Sequence, residues 1–435
     1  MWNRLRVVDL SVIILTVGIL VRVDAARRFD LHNGYDAAAH LGYSMELSKG
    51  SIPRVYKRGS WARQNPPLFY GGALWLQGLG FGLFGGVLIS LLAGAARLVL
   101  ADYAFRKMLG LSPPARHFAN AIHAFLPFAI RVDIFYSPES LAVTLALAAV
   151  IAAWRGWAVV SGVILGLALL TKAPTVAAVP AVSFALTFGQ GIDWRDRSSV
   201  LGAVRRLATA GVISALLLGQ WAWPNMLKMK TPYPRVYSLN KGPLWKKPVW
   251  KRHPTRFFLP RLRYRDLQWP YYSLPVSAPN SFYLECWSDF YNFFNRGPTH
   301  RPPPHSANGR AVNPQVHNGY LVLVHVGFVL LLLLLAGLGG FALRAGRGRA
   351  PPGEWALAIL GLCYLAIAIW FAVSVVMESH GAVKATYAIG ATTILCAWTG
   401  RAFAWLGQKH WAVMALCGAA CAIPGAVAVY QRFVW

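Results

Sequence analysis

Asp36 and His40 stand four residues apart in "GYDAAAHLGYSMEL", so a helix through that stretch carries both on one face. An acid and an imidazole on one face form either a general base with an orienting partner or half of a metal site, and two ligands alone signal a metal only weakly. The same residues also suit plain architecture, because Asp before Ala-Ala-Ala is a good helix N-cap. Glu139 follows "DIFYSP" and opens an apolar run, where Pro138 with an acid beside it also makes an ordinary helix start. Lys172, in "GLALLTKAPTVAAVPA", lies between two apolar runs; snorkelling to an interface would account for it, with Pro174 ending the helix. Glu378, His380 and Lys384 in "MESHGAVKATY" read equally well as a solvated turn.

Composition gives these few acids their weight. Among 435 residues there are 15 Asp and Glu against 43 Lys and Arg, for a formal charge of +28. The chain is 56% hydrophobic with a mean hydropathy of +0.44. A soluble domain cannot bury so much apolar surface, so the chain reads as a polytopic membrane protein. The basic excess suits anionic lipid headgroups or phosphorylated substrates, and no segment resembles a nucleic-acid-binding module. Cysteines 286, 363, 396, 417 and 421 show neither zinc spacing nor a disulfide framework.

Apolar runs long enough to cross or nearly cross a bilayer fall at about 7–23, 84–105, 117–136, 139–154, 157–172, 174–188, 204–223, 318–343, 355–376, 383–400 and 411–430. The first of these reads as an uncleaved span, since many more follow it. The Gly-rich run 67–83 comes directly after a Pro-Pro pair. Short basic links at 3–6, 105–116, 193–206, 343–349 and 408–410 all fall in the cytoplasm only if 67–83 does not fully cross. The expectation is therefore an all-α polytopic membrane protein with about eleven spans and a re-entrant or interfacial segment at 67–83. It divides into an N-terminal module (1–223, first outer loop 24–66), a basic aromatic outer loop (224–317) and C-terminal helices (318–435). The loop carries fifteen Lys and Arg against Asp266, Glu285 and Asp289. Long loops translocate regardless of charge, so the short links decide its side. Irregular structure with short interfacial helices is expected within it.

The order of the motifs resembles the polyprenyl-phosphate-dependent glycosyltransferases of the GT-C superfamily, the branch with protein O-mannosyltransferases and lipid A aminoarabinose transferases. "GYDAAAHLGYSMELSKGSIPRV" resembles that family's first outer loop, and "QNPPLFYGGALW" its His- or Gln-Pro-Pro-Leu-Tyr-Tyr segment. "YSPESLAVTLALAA", "GLALLTKAPTVAAVPA" and "VKATYAIGATTIL" follow in the family's order. Together they cover about a third of the chain. Where many relatives carry a second acid after the first, this chain has Ala37.

The resemblance implies a GT-C-like fold and transfer of a sugar, with inversion, from a polyprenyl-phosphate donor to an acceptor at the outer membrane face. Asp36 would be the general base and Glu139 would steer or share its proton. His40, Arg63, Gln64, Lys172, Glu378, His380 and Lys384 would bind substrate, the cations meeting the departing phosphate. No cofactor is required, although Asp36 and His40 leave room for a divalent metal. The implied setting is a multi-pass protein of a bacterial inner membrane, active outside the cytoplasm and in contact with anionic lipids. The competing reading is a non-catalytic GT-C-like subunit whose loop 224–317 docks on other membrane proteins, as its Tyr, Trp and Arg content allows.

Overall fold

The computed structural model of the chain describes residues 9–32, 34, 36–50, 52, 65–229, 248, 253, 255–260, 277–288, 314–374, 384–410, 412, 415, 418 and 423. Among these residues every regular element is a helix. Helix α1 spans Leu10–Arg28, with the Asp9 side chain accepting from Ser11 N at 3.0 Å as an N-cap should. Helix α2 (Ala37–Leu47) lies in the first loop. Helix α3 (Leu68–Leu76) follows the Pro-Pro pair and runs into a π turn, Gln77–Phe81. Gly80 and Gly82, with φ of 96° and 55°, break it there in a region that side chains disfavour. From Leu68 to Phe81 the helix rises only about 20 Å, short of the hydrocarbon thickness of about 30 Å. The odd segment does not cross as one straight helix.

Helices α4 (Phe84–Tyr103), α5 (Pro113–Phe125), α6 (Pro127–Ile134) and α7 (Glu139–Trp154) come next. Proline begins α5 and α6, where its missing N–H costs nothing. Between α6 and α7 the chain bends by 108°. The residue before a proline is pushed out of the helical region, so Ser137–Pro138 forces the break and leaves Glu139 at the head of α7. Then follow α8 (Ala158–Leu169), a 3-10 turn at Ala173–Ala177, α9 (Ala178–Phe188) and the long α10 (Arg197–Met229). The segment 224–317 contributes the short helix α11 (Ala278–Trp287). The C-terminal part holds α12 (Pro314–Gly346), α13 (Pro352–Ser374), a 3-10 segment at Ala385–Ala391 and α14 (Thr392–Lys409).

Among the described residues four helices are long and apolar enough to cross a membrane, or five if the bent α6–α7 pair counts as one span. The protein is an integral membrane protein. Each expected apolar run carries a helix except 411–430, which lies almost wholly outside the described residues.

In the core α8 lies against α7 and α10, and α14 packs between α5 and α12. Two buried ion clusters fasten the bundle. Asp133 of α6 accepts from Arg22 Nε of α1 at 2.8 Å, Arg97 Nη2 of α4 at 2.8 and 3.0 Å, and Ser140 Oγ of α7 at 2.6 Å. At the opposite end of α13 from Ser374, Glu354 meets Arg344 Nη2 of α12 at 2.7 Å and, from α14, Arg401 Nη1 at 2.5 Å and Trp398 Nε1 at 3.1 Å.

Candidate active site

Asp36 occupies the N-cap position of α2, yet its side chain caps nothing. Its φ of 60° is the one positive value for a non-glycine residue among those described. Aspartate is one of the few side chains that tolerate this left-handed region, at a cost on the order of 1 kcal/mol. The main-chain carbonyl of Asp36 accepts from Ala39 N and His40 N, while the carboxylate turns to Lys384, whose Nζ donates to Oδ2 at 2.9 Å. The residues are 348 apart in sequence. Capping therefore does not explain this aspartate. It is also the more accessible partner: its side chain is 31% exposed and that of Lys384 is 12% exposed.

A second pair sits beside the first. Lys172, at the turn after α8, donates to Glu139 Oε1 at the head of α7, and both are buried. The turn is fixed from the start of α3, since Leu68 N donates to Leu170 O at 3.1 Å. Lys172 Nζ also lies 5.4 Å from the Tyr387 ring centroid, a cation–π contact. The lysine does not snorkel; it is held inward by a carboxylate and a ring.

His40 lies between the pairs, buried, with Nδ1 2.6 Å from Tyr70 Oη. Asn65 Nδ2 donates to the same hydroxyl at 3.2 Å, and Tyr43 stacks on Tyr70 with centroids 4.0 Å apart. Burial pushes the His40 imidazole down to about 4. The Glu139 and Asp36 carboxylates oppose that shift, and Lys172 and Lys384 add to it. The ring is thus neutral at pH 7 and adds no charge between two lysines. Among the described residues no group of three His, Cys, Asp or Glu is placed to hold a metal ion.

A cavity of about 610 Å³ ends at this site. Its walls are apolar side chains of α5, α11, α12, α13 and α14, among them Leu126, Phe282, Trp287, Leu330 and Leu395. Among the described lining residues, Lys384 is the one that carries a charge. The lining also includes Ile369, which is 63% exposed on the outside of α13. The cavity is thus lined both by a residue exposed on the surface of α13 and by the lysine that Asp36 holds.

Of the expected site residues, the fold brings together Asp36, His40, Glu139, Lys172 and Lys384. Arg63, Gln64, Glu378 and His380 lie outside the described residues. Sequence reasoning passed over Asn65, Tyr70 and Tyr387. The first two belong to the quoted "QNPPLFY" stretch and carry polar atoms in an apolar setting, which was the available signal. Asp133 was also missed, although an acid inside the run 117–136 is expensive enough to mark a buried partner.

No protein-family model matches the chain, and no curated protein matches it either. Among solved structures it is similar to ArnT from Cupriavidus metallidurans bound to undecaprenyl phosphate, with a TM-score of 0.50 and 18% identity over 92% of this chain and 61% of that one. The chain has a GT-C-type fold. The apo state of the same ArnT gives a TM-score of 0.49 and 17% identity, over 92% of this chain and 60% of that one. The archaeal oligosaccharyltransferase AglB from Archaeoglobus fulgidus, in complex with an inhibitory peptide and a dolichol-phosphate, gives 0.48 and 12%, over 97% of this chain and 56% of that one. The chain spans about three fifths of the length of these solved structures. Within the GT-C-type fold, the two carboxylate–lysine pairs gather at one end of the helices, beside the apolar cavity.

Proposed function

We propose that the chain is a membrane glycosyltransferase that moves a sugar from a polyprenyl-phosphate donor to an acceptor at the outer face of a bacterial plasma membrane. The observation that carries this reading is the apolar cavity that ends at Lys384 and, through it, at Asp36. An isoprenoid tail suits apolar walls, and a phosphate suits Lys384, the charged side chain among the described lining residues. The GT-C-type fold supports the reading, and the undecaprenyl phosphate bound to ArnT is in keeping with it.

In the proposed reaction the acceptor's hydroxyl or amine attacks the anomeric carbon as the bond from that carbon to the phosphate oxygen breaks. The polyprenyl phosphate leaves with the bonding electron pair, and the acceptor's proton passes to the Asp36 carboxylate. Lys384 and Lys172 meet the charge that grows on the leaving phosphate. Glu139 holds Lys172 in place, and His40, held by Tyr70, lines the approach. Arg63, Gln64, Glu378 and His380 complete the proposed substrate contacts. The division into 1–223, 224–317 and 318–435 goes with this reading, and the cavity draws its walls from all three.

The test is Asp36→Asn. Asn tolerates the left-handed conformation as Asp does, and the side chain makes no cap bond to lose, so the variant is expected to fold and insert normally. Losing a general base typically costs about 10²–10⁴-fold in rate. Membranes carrying Asp36→Asn should show almost no transfer from the native lipid-linked donor. Full activity in that assay would refute the assignment of Asp36 as base.

A further inference from the structure

Lys384 stands directly before the 3-10 segment Ala385–Ala391, in extended backbone (φ −123°, ψ 117°), and its own side chain does not cap that segment. The first amide of the segment, Ala385 N, donates instead to Glu285 Oε2 of α11 at 2.6 Å. Glu285 is 1% exposed and comes from the outer loop, 100 residues away. Its own helix is anchored on other elements. Arg131 of α6 donates to the carbonyls of Glu285 and Ser288, and Tyr283 Oη donates to Val324 O of α12 at 2.5 Å. A charge-assisted bond from an anchored helix thus fixes the peptide next to the lysine that reaches Asp36.

We propose that Glu285 is a positioning residue for Lys384: through the Ala385 amide it sets where the ammonium stands, and so how the site receives a phosphate. The proposal takes from the preceding reading only that Lys384 meets a phosphate. The outer loop then has a task at the site beyond covering it, through an acid that the sequence motifs do not include.

The first experiment needs no substrate. Lys384→Cys is made in the full chain with its five native cysteines replaced, and its reaction with a small methanethiosulfonate reagent is timed in detergent. Glu285→Ala leaves a buried amide unsatisfied and should speed the reaction roughly tenfold by freeing the backbone at 384. Glu285→Gln keeps an acceptor oxygen and should stay within about twofold of the parent. Tyr283→Phe removes one of the anchors of α11 but leaves the Arg131 bonds and the Glu285–Ala385 bond in place, so it should speed the reaction by no more than about twofold. If Glu285→Ala does not give monodisperse protein, Glu285→Asp, one methylene shorter, takes its place with the same expected acceleration. Parental rates in these variants, or equal acceleration by Tyr283→Phe, would overturn the proposal.

The second experiment reads binding in the chain with its native cysteines, with undecaprenyl phosphate and undecaprenol as the two probes. Glu285→Ala should weaken undecaprenyl phosphate roughly tenfold, spare undecaprenol, and cost nothing more once Lys384→Ala is present. A further loss on top of Lys384→Ala would mean that Glu285 does not act through Lys384. If the wild-type chain shows no preference for the phosphate, the proposed function fails, while the cysteine rates still decide the role of Glu285.

Discussion

Asp36 and Lys384 hold each other, and Glu139 and Lys172 hold each other, so each of these four described charges faces an opposite one. The difference between the pairs is exposure: Asp36 is reachable, whereas the Glu139–Lys172 pair is buried. A phosphate arriving at Lys384 competes with Asp36 for the same ammonium and releases that carboxylate to take a proton. His40 adds a pH dependence of another kind. Its folded value of about 4 lies below the ordinary value of 6.5 because of burial. Between these values the unfolded chain binds a proton that the folded chain refuses, so stability falls as pH drops from about 6.5 towards 4 and levels off below. The full difference is on the order of 3 kcal/mol. The melting temperature in detergent should therefore fall across that window, and His40→Gln, uncharged throughout, should lose this part of the slope. Equal slopes for the two proteins would show that the folded chain accepts the proton on His40.

Helices α1, α4, α6 and α7 meet at one carboxylate, Asp133, which is 0% exposed along with both arginines that hold it. That meeting depends on a small residue opposite. A Cβ at Gly94 of α4 would stand 2.3 Å from Asp133 Cγ, and the nearest atoms are all of that clamped side chain. In an exposed helix Gly→Ala stabilises by about 1 kcal/mol. Here Gly94→Ala should lower the melting temperature instead, by displacing the acid from two buried guanidinium groups. A melting temperature at or above that of the wild type would show that Asp133 is free to move. Hydropathy made the helices themselves legible, because each apolar run is a local property of the sequence. The bend before α7 was half legible: Pro138 marks a helix start, but its 108° turn depends on how α6 packs. Within the site, Glu139 and Lys172 stand out one at a time as charges beside apolar runs, Asp36 as an acid with no basic neighbour, and Lys384 only as part of a polar turn. Their pairing does not, since no local pattern joins residue 36 to 384 or 139 to 172. Glu285 reads in the sequence only as an acid in a basic loop, because its bond is to a backbone amide 100 residues away.

Across the whole molecule the Glu354 cluster and the cavity residues beside the paired site lie at opposite ends of α13, which bears on sidedness. Helix α13 has 23 residues, so it rises about 35 Å and can cross a hydrocarbon layer of about 30 Å. The Glu354 cluster stands at its first turn and the cavity residues Ala372 and Val373 at its last, next to Lys384. If α13 crosses, the basic link 343–349 lies on one face of the membrane and the candidate site on the other. The α9–α10 link belongs with the former, because α9 starts just after the Lys172 turn and runs away from it. By the positive-inside rule, the excess of Lys and Arg in these short links predicts that this face is the cytoplasmic one. Arg347, Trp194 and Ser48 are all exposed and serve as reporters of the two sides. In intact cells a membrane-impermeant thiol reagent should modify Ser48→Cys, next to α2, and spare Arg347→Cys and Trp194→Cys. Permeabilising the membrane should make all three reactive. Equal modification of Ser48→Cys and Arg347→Cys in intact cells would put the link and the site on one face, and the crossing of α13 with the outward-facing site would both have to be given up.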